Sequence, residues 1–319
     1  MSDAPPPLPF GADAPAPVAA SNVPDIEDLP AAAAPDPDCE RCDRGVVITQ
    51  EGEWMRAEVC DCIGVCGRCN GNGRVVARVD GTVRTGRCRC QLPGDRARLL
   101  SAAQLPGRYV GASLGSFMRG VQESGDMAKM DAMMGVSHWL QAFTPGDHNR
   151  GLVLHGPVGR GKTHLLVGLL RDLVLLHGVH VRFVEFTRLL AALRAGFSEG
   201  RSGSELMNEL VAVPVLGIDE LGKGRLTDWE LTVIDELISR RYNAMATTLG
   251  TTNFAPGAVT GAAPTNAALS KKAAQTLGDR VGERVHSRLV EMCDFVEVAG
   301  VDFRELQKVQ RQLGGLPQR

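Results

Sequence analysis

From residue 151 onward, short apolar runs alternate with stretches whose apolar positions recur at helical spacing. The pattern predicts strands over 151–155, 179–186, 213–218, 247–252 and 294–298. Between them it predicts helices over 162–176, 189–197, 228–242 and about 273–289, with a short polar helix at the end. Such alternation builds a parallel sheet with helices on both faces, an α/β fold. Upstream, Met133, Val136, Leu140 and Phe143 form a stripe that predicts a packed helix over about 126–143. Residues 91–125 are broken by Pro93, Pro106 and several glycines and read as a connector. Before them, Val46-Val47-Ile48 and Val75-Val76-Ala77 each follow a glycine, as the first arm of a hairpin does. Residues 1–38 carry seven acidic side chains and no basic one among many Pro and Ala, which predicts a disordered acidic tail.

Composition changes this picture little. The chain has 319 residues, enough for one sizeable domain and a smaller one, and 44% are apolar. A net charge of −2 predicts no strong overall attraction to nucleic acid or membrane. No run is long and apolar enough to predict a membrane span, and the first residues lack a basic-then-apolar pattern. The expectation is a soluble cytoplasmic protein without a secretory signal.

The cysteines change it more. Eight of the nine lie between Cys39 and Cys90, as Cys39/Cys42, Cys60/Cys62, Cys66/Cys69 and Cys88/Cys90. The order CxxC, strand-like stretch, CxC occurs twice, an internal repeat. In a cytoplasmic chain such pairs read as metal ligands rather than disulfides, and eight thiolates suit two Zn²⁺ ions. Tandem pairing joins the first four and the last four; nested pairing joins outer with outer and inner with inner. Short loop closure favours the tandem arrangement.

The strand over 151–155 runs into Gly156-Pro157-Val158-Gly159-Arg160-Gly161-Lys162-Thr163, followed by His164 and a helix. Glycines let backbone N–H groups turn inward around a phosphate, and the helix N-terminus adds partial positive charge. Lys162 is expected at the β- and γ-phosphates of ATP and Thr163 on Mg²⁺. The apolar strand over 213–218 ends in Asp219-Glu220. Asp219 is expected in the Mg²⁺ shell and Glu220 as the group that polarises the attacking water. Asn253 follows the next strand at the ligand-facing edge, placed to orient water or the γ-phosphate. Arg280, Arg284 and Arg288, four residues apart, are expected on one helix face. Arg188, Arg194 and Arg201 surround a helical stretch containing Phe197 and form a candidate site for single-stranded DNA.

These motifs together resemble the DnaC/DnaI/IstB branch of the AAA+ ATPases. The resemblance rests on the phosphate loop, Ile218-Asp219-Glu220, Leu226-Thr227-Asp228-Trp229-Glu230, Arg241-Tyr242-Asn243, Thr251-Thr252-Asn253 and Val301-Asp302-Phe303-Arg304. Leu105-Pro106-Gly107-Arg108-Tyr109 and Phe117 resemble the family's lead-in. The resemblance covers about 105–306 and implies an AAA+ domain without a helical lid. It makes Asn253 the first sensor, Arg304 the second, and Arg284 an arginine finger acting between subunits of a homo-oligomer, with Arg280 the competing candidate. Cys66-Gly67-Arg68-Cys69-Asn70-Gly71-Asn72-Gly73 also resembles a motif of the DnaJ cysteine-rich domain. Zinc-bearing loaders of the DnaI type dock a replicative helicase, which implies a DnaB-type helicase partner. The expected organisation is a tail over 1–38, a double-zinc module over 39–92, a connector over 93–125, an ATPase domain over 126–306 and a polar tail over 307–319. Helicase loading is the leading expectation. The alternatives are an IstB-like transposition helper and a zinc-dependent chaperone or adaptor switched by ATP.

Overall fold

A computed structural model of the chain describes residues 23–198, 202–224, 226–257 and 276–303. Contacts divide it into two units. One takes in the chain up to Pro37 and Asp61–Gln91; the other takes in Asp38–Cys60 and the chain from Leu92 onward. The boundary therefore runs through the cysteine region expected to be a single module over 39–92.

The larger unit is built on five parallel strands: β5 (Gly151–His155), β6 (Val181–Glu185), β7 (Val215–Asp219), β8 (Thr247–Thr252) and β9 (Cys293–Glu297). Their order across the sheet is β6-β7-β8-β5-β9. β7 and β8 are buried along their whole length, as central strands covered on both faces must be. β8 reads Thr-Thr-Leu-Gly-Thr-Thr, and its buried hydroxyls are satisfied. Thr247 donates to Asn149 O at 3.1 Å, and Thr252 donates to Leu221 O at 2.9 Å.

Helices α4 (Lys162–His177), α5 (Phe186–Ser198), α6 (Ser202–Ala212), α7 (Asp228–Asn243), α8 (Leu277–Val281) and α9 (Glu283–Met292) flank the sheet. One core gathers Leu165, Leu166, Leu169, Leu170 and Leu173 of α4 with Phe117 and Val136 from upstream. The other gathers Phe186, Leu189 and Leu193 of α5 with Ile234, Leu237 and Leu289. This α/β/α layering is the expected fold class.

Local departures from the sequence reading have local causes. The connector folds into α1 (Leu92–Ala102), a 3-10 turn over Gly107–Tyr109 and α2 (Leu114–Ser124), ahead of α3 (Met127–Ala142). Pro93 lies in the first turn of α1, where its missing N–H leaves no bond unmade. Ser113 and Ser116 cap α2 reciprocally. The single helix expected over 273–289 is two, α8 and α9, because Gly282 at φ 85° breaks the run. Arg280 therefore does not share a helix with Arg284 and Arg288.

Two hairpins complete the cysteine region. β1 (Val46–Glu51) pairs with β2 (Trp54–Val59), and β3 (Arg74–Val79) with β4 (Thr82–Arg87). The first belongs to the larger unit. Its Val46 packs with Ala97 of α1 and Leu175 of α4, and Met55 N–H donates to Leu105 O at 2.8 Å. The second belongs to the smaller unit, together with part of the stretch expected to be a disordered tail. Ile26 N–H donates to Arg78 O at 3.0 Å, and Arg78 N–H donates to Pro24 O at 2.8 Å. Ala32 and Ala33 pack on Cys66, Cys69 and Cys88. A segment too poor in apolar groups to fold alone is ordered here on a strand edge and a sulfur cluster. Residues 1–22, and the polar helix and tail expected after 303, lie outside the described residues.

Candidate functional site

The phosphate loop leaves β5 at the ligand-facing edge of the sheet and enters α4. Gly161, the residue before α4, has φ 96°, and a Cβ there would lie 2.8 Å from the Phe117 ring. Gly159 has φ 82°, and a Cβ there would overlap the Asp302 carboxylate. Both positions thus demand glycine for conformation and for space. Lys162 is buried, and its Nζ donates to Gly156 O and Pro157 O at 2.7 Å each. Val158 is exposed on the loop.

Thr163 Oγ1 lies 3.0 Å and 3.2 Å from the two carboxylate oxygens of Asp219, at the end of β7. Thr251 on neighbouring β8 donates to the same carboxylate at 2.6 Å. Burial raises the Asp219 pKa, partly offset by these two hydroxyls. A buried carboxylate beside a hydroxyl is an oxygen donor set that fits a Mg²⁺ shell.

Glu220 follows in the left-handed region at φ 59°, and its N–H donates to Thr251 Oγ1 at 2.9 Å. This turns its side chain to the cavity, where Lys223 pairs with it. Lys223, three residues further along a loop, carried no motif signal in the sequence.

A cavity of about 260 Å³ joins these groups; Lys162, Thr163, His164, Glu220, Asn253, Phe117 and Phe303 line it. His164 Nε2 is 2.9 Å from Ser116 Oγ, and burial lowers its pKa, favouring the neutral ring. Asn253 lines the same cavity. Phe303, from the Val301-Asp302-Phe303-Arg304 segment of the resemblance, is brought there by contacts with residues distant in sequence. Phe303 N–H donates to Gly159 O at 3.0 Å, and Val301 N–H donates to Asp126 at 2.9 Å. Fully buried Lys129 pairs with Asp126 at 3.2 Å and lies 4.9 Å from the Phe303 ring centroid.

The arginines separate. Arg280 Nε donates to Gly222 O at 3.0 Å, beside the Glu220 turn. Arg284 is 75% exposed on α9, 3.7 Å from Asp235, and does not line the cavity. Arg288 holds Asp235 at 2.9 Å. Arg188 pairs with Glu53 at 2.8 Å and Arg194 with Glu230 at 3.0 Å, so both candidate DNA contacts are engaged within the chain. Arg304, Arg201 and the Phe197 side chain lie outside the described residues.

The eight paired cysteines gather as two clusters, Cys39/Cys42/Cys60/Cys62 and Cys66/Cys69/Cys88/Cys90, with all sulfurs of each within 4.8 Å of one another. This is the tandem grouping. Cys39–Cys60, Cys66–Cys88 and Cys69–Cys90 sulfurs are 3.8, 3.7 and 3.5 Å apart, far beyond a disulfide bond. A tetrahedral Zn²⁺ with Zn–S near 2.3 Å has edges of about 3.8 Å, so the sulfur sets fit zinc. The Ala33 N–H, 3.3 Å from Cys66 Sγ, leads in lowering that thiol to about 6. Burial, reinforced by neighbouring sulfurs, pushes Cys90 up to about 12. Four thiolates this close need a cation to neutralise them. Cys293, the ninth, is buried in β9, and burial pushes it up to about 12, which makes it an inert packing thiol.

Comparison with known proteins agrees with the geometry. The replicative helicase loader DnaC of Escherichia coli (strain K12) is 28% identical over 127 residues, 39% of this chain and 50% of that protein. A putative ATP-binding protein in an insertion sequence, Rv3427c of Mycobacterium tuberculosis, is 31% identical over 145 residues, 46% of this chain and 55% of that protein. The crystal structure of the DnaC helicase loader superposes with a TM-score of 0.49 at 27% identity, covering 60% of this chain and 99% of that one. The chain spans about half the length of the curated relatives it matches. Among the described residues no helix is long and apolar enough to cross a membrane. The model of the IstB-like ATP binding protein family matches residues 138–311, more than half of the chain and the whole phosphate-binding edge of the sheet, and the chain belongs to that family.

Proposed function

We propose that this ATP-binding protein hydrolyses ATP and loads a DnaB-type replicative helicase onto single-stranded DNA in the cytoplasm. The observation that carries the reading is the joining, in one chain, of two four-cysteine clusters to an ATP-binding domain that is 28% identical over 127 residues to a replicative helicase loader. In this reading the cysteine clusters hold two Zn²⁺ ions and stiffen the hairpins, and the cysteine region docks the helicase. Thr163 and Asp219 would hold Mg²⁺, which would neutralise charge on the phosphates of bound ATP. Lys162 swings from the loop carbonyls to the same phosphates. Glu220 draws a proton from the attacking water, with Asn253 orienting it. Arg304 serves as the second sensor.

The test is helicase loading on circular single-stranded DNA coated with its binding protein. The purified protein with ATP is expected to raise helicase-dependent unwinding at least tenfold, and Lys162→Ala is expected to abolish the gain. If the protein instead stimulates strand transfer by a co-encoded transposase and leaves the helicase unaffected, the transposition-helper reading replaces this one.

Arg284 stands exposed and away from its own chain's cavity, which suits a finger that enters a neighbour's site. ATPase activity should then rise more than linearly with protein concentration. A mixture of Arg284→Ala and Lys162→Ala chains should regain activity that each lacks alone, because one keeps the pocket and the other the finger. An inactive mixture of folded, co-assembling chains would pass the role to Arg280.

A further inference from the structure

The stretch that follows β9 runs along the phosphate loop. Val298 N–H donates to His155 O at 2.7 Å, and a Cβ on Gly156 would lie 2.6 Å from Val298 O. Further along, Phe303 N–H donates to Gly159 O at 3.0 Å, and the Asp302 carboxylate fills the space that a Cβ on Gly159 would take. The phosphate loop is thus backed at two of its glycines by this stretch.

On its other side the stretch is held by α2 and α3. Gly300 has φ 92°, and a Cβ there would overlap the Asp126 carboxylate, so the approach demands glycine. Asp126 is the N-cap residue of α3, and its Oδ2 accepts from Val301 N–H at 2.9 Å. The same oxygen lies 3.2 Å from the ammonium of Lys129, which is fully buried one turn into α3. That ammonium is 4.9 Å from the centre of the Phe303 ring, within reach of a cation–π attraction. On α2, a Cβ on Gly120 would lie 2.9 Å from the same ring.

Burying an ammonium with a carboxylate gains little over well-packed apolar side chains, so stability alone does not account for the pair. What the pair adds is direction: a charged acceptor fixed opposite Val301 N–H, and a cation facing the Phe303 ring. Neither residue lines the nucleotide cavity, whereas Phe303 and Gly159 do.

We infer that Asp126, held by Lys129, is a positioning residue of the nucleotide site, fixing segment 301–303 so that Phe303 walls the cavity and the phosphate loop keeps its shape at Gly159. The inference rests on the reading of this cavity as the ATP site. It gives α3, which precedes the phosphate loop in sequence, a part in nucleotide affinity. Glu220 and Asp219 are held by Thr251 instead, so the pair acts on binding and not on the hydrolytic groups.

The test uses the full chain, with titration by a fluorescent ATP analogue, steady-state hydrolysis and thermal unfolding. Asp126→Leu with Lys129→Met replaces the pair by apolar groups and leaves no buried charge unpaired. This double variant is expected to keep its melting temperature, to lose about tenfold in nucleotide affinity with a matching rise in KM, and to keep kcat within about threefold. Asp126→Asn with Lys129→Met restores an acceptor for Val301 N–H and is expected to recover affinity to within about threefold of the unaltered protein. Phe303→Ala is expected to weaken binding by itself, and adding it to the apolar pair should cost less than the product of the two losses, because both act on one contact. An apolar pair that folds and binds nucleotide like the unaltered protein would overturn the inference and leave Asp126 and Lys129 a packing feature of α3. So would losses that multiply in full with Phe303→Ala, or an asparagine variant that recovers nothing. Lys162→Ala is the control: if it leaves affinity unchanged, the reading of the cavity fails and this inference fails with it, whereas a loss in Lys162→Ala without one in the apolar pair sinks the inference alone.

Discussion

Glu220→Gln is expected to slow ATP hydrolysis by about 10²–10⁴-fold, the range for loss of a positioned general base, while ATP affinity stays within about twofold. The substitution keeps the shape of the side chain and removes the charge proposed to draw the proton from water. Binding should survive because the groups expected at the phosphates, Lys162 and the loop N–H groups, lie elsewhere in the cavity. Glu220 is well suited to the role geometrically. It sits in the left-handed region with its N–H tied to Thr251, which fixes the side chain at the cavity edge rather than in the sheet. Lys223 pairs with the carboxylate and would have to yield it for the proposed role. Single-turnover hydrolysis and a fluorescent-nucleotide titration measure the two quantities separately. Wild-type turnover in the variant would move the proton-accepting role to another group.

Arg241→Leu is expected to destabilise the larger unit by about 3–5 kcal/mol, as loss of a buried charged donor does. Arg241 is fully buried. Its guanidinium donates to Leu210 O at 2.6 Å, Val213 O at 2.9 Å, Thr247 O at 2.6 Å and Thr248 Oγ1 at 3.0 Å. It thus ties the end of α6 and the approach to β7 to the start of β8. Burial pushes its pKa down to about 10, so it remains charged at neutral pH. Leucine fills part of the space but leaves those acceptors buried without donors. The melting temperature should fall by roughly 10 °C. Because β7 carries Asp219 and β8 carries Thr251, nucleotide affinity of the surviving folded fraction should fall as well. A shift of a degree or two in thermal unfolding would mean that water or a backbone adjustment satisfies the carbonyls.

The sheet and its ligand-facing edge were legible in the sequence because both are local in origin. Short apolar runs such as 151–155 and 213–218, bounded by turn residues, read as buried strands, and a glycine loop between a strand and a helix has few alternative conformations. Lys162, Thr163, Asp219, Glu220 and Asn253 were singled out this way; all but Asp219 line one cavity, and Asp219 accepts a hydrogen bond from Thr163. The tandem grouping of cysteines followed from loop length, and the sulfurs are so placed. The helix over Ser202–Ala212 and the two helices of the connector were not legible. Leu114, Phe117, Met118 and Val121, like Leu206, Met207, Leu210 and Val211, do recur at helical spacing, but Pro93 and the glycines read as breakers when their place within a turn is unknown.

Other features depended on residues distant in sequence meeting in space. Lys129 and Asp126 meet segment 301–303 across more than 170 residues, and Phe303 of that segment lines the cavity. Gly282 divides the arginines between two helices, which no four-residue spacing reveals. Sequence alone determined that the chain has a phosphate-binding α/β domain and two sets of four thiols, because periodicity and motif spacing act within short windows. Tertiary structure decided that one cysteine hairpin is part of the ATP-binding unit while the other falls in the smaller unit. The physical reason is burial: the two ribbons share a register, and the first joins the larger unit because Val46 packs with Ala97 and Leu175, which α1 and α4 supply from elsewhere in the chain.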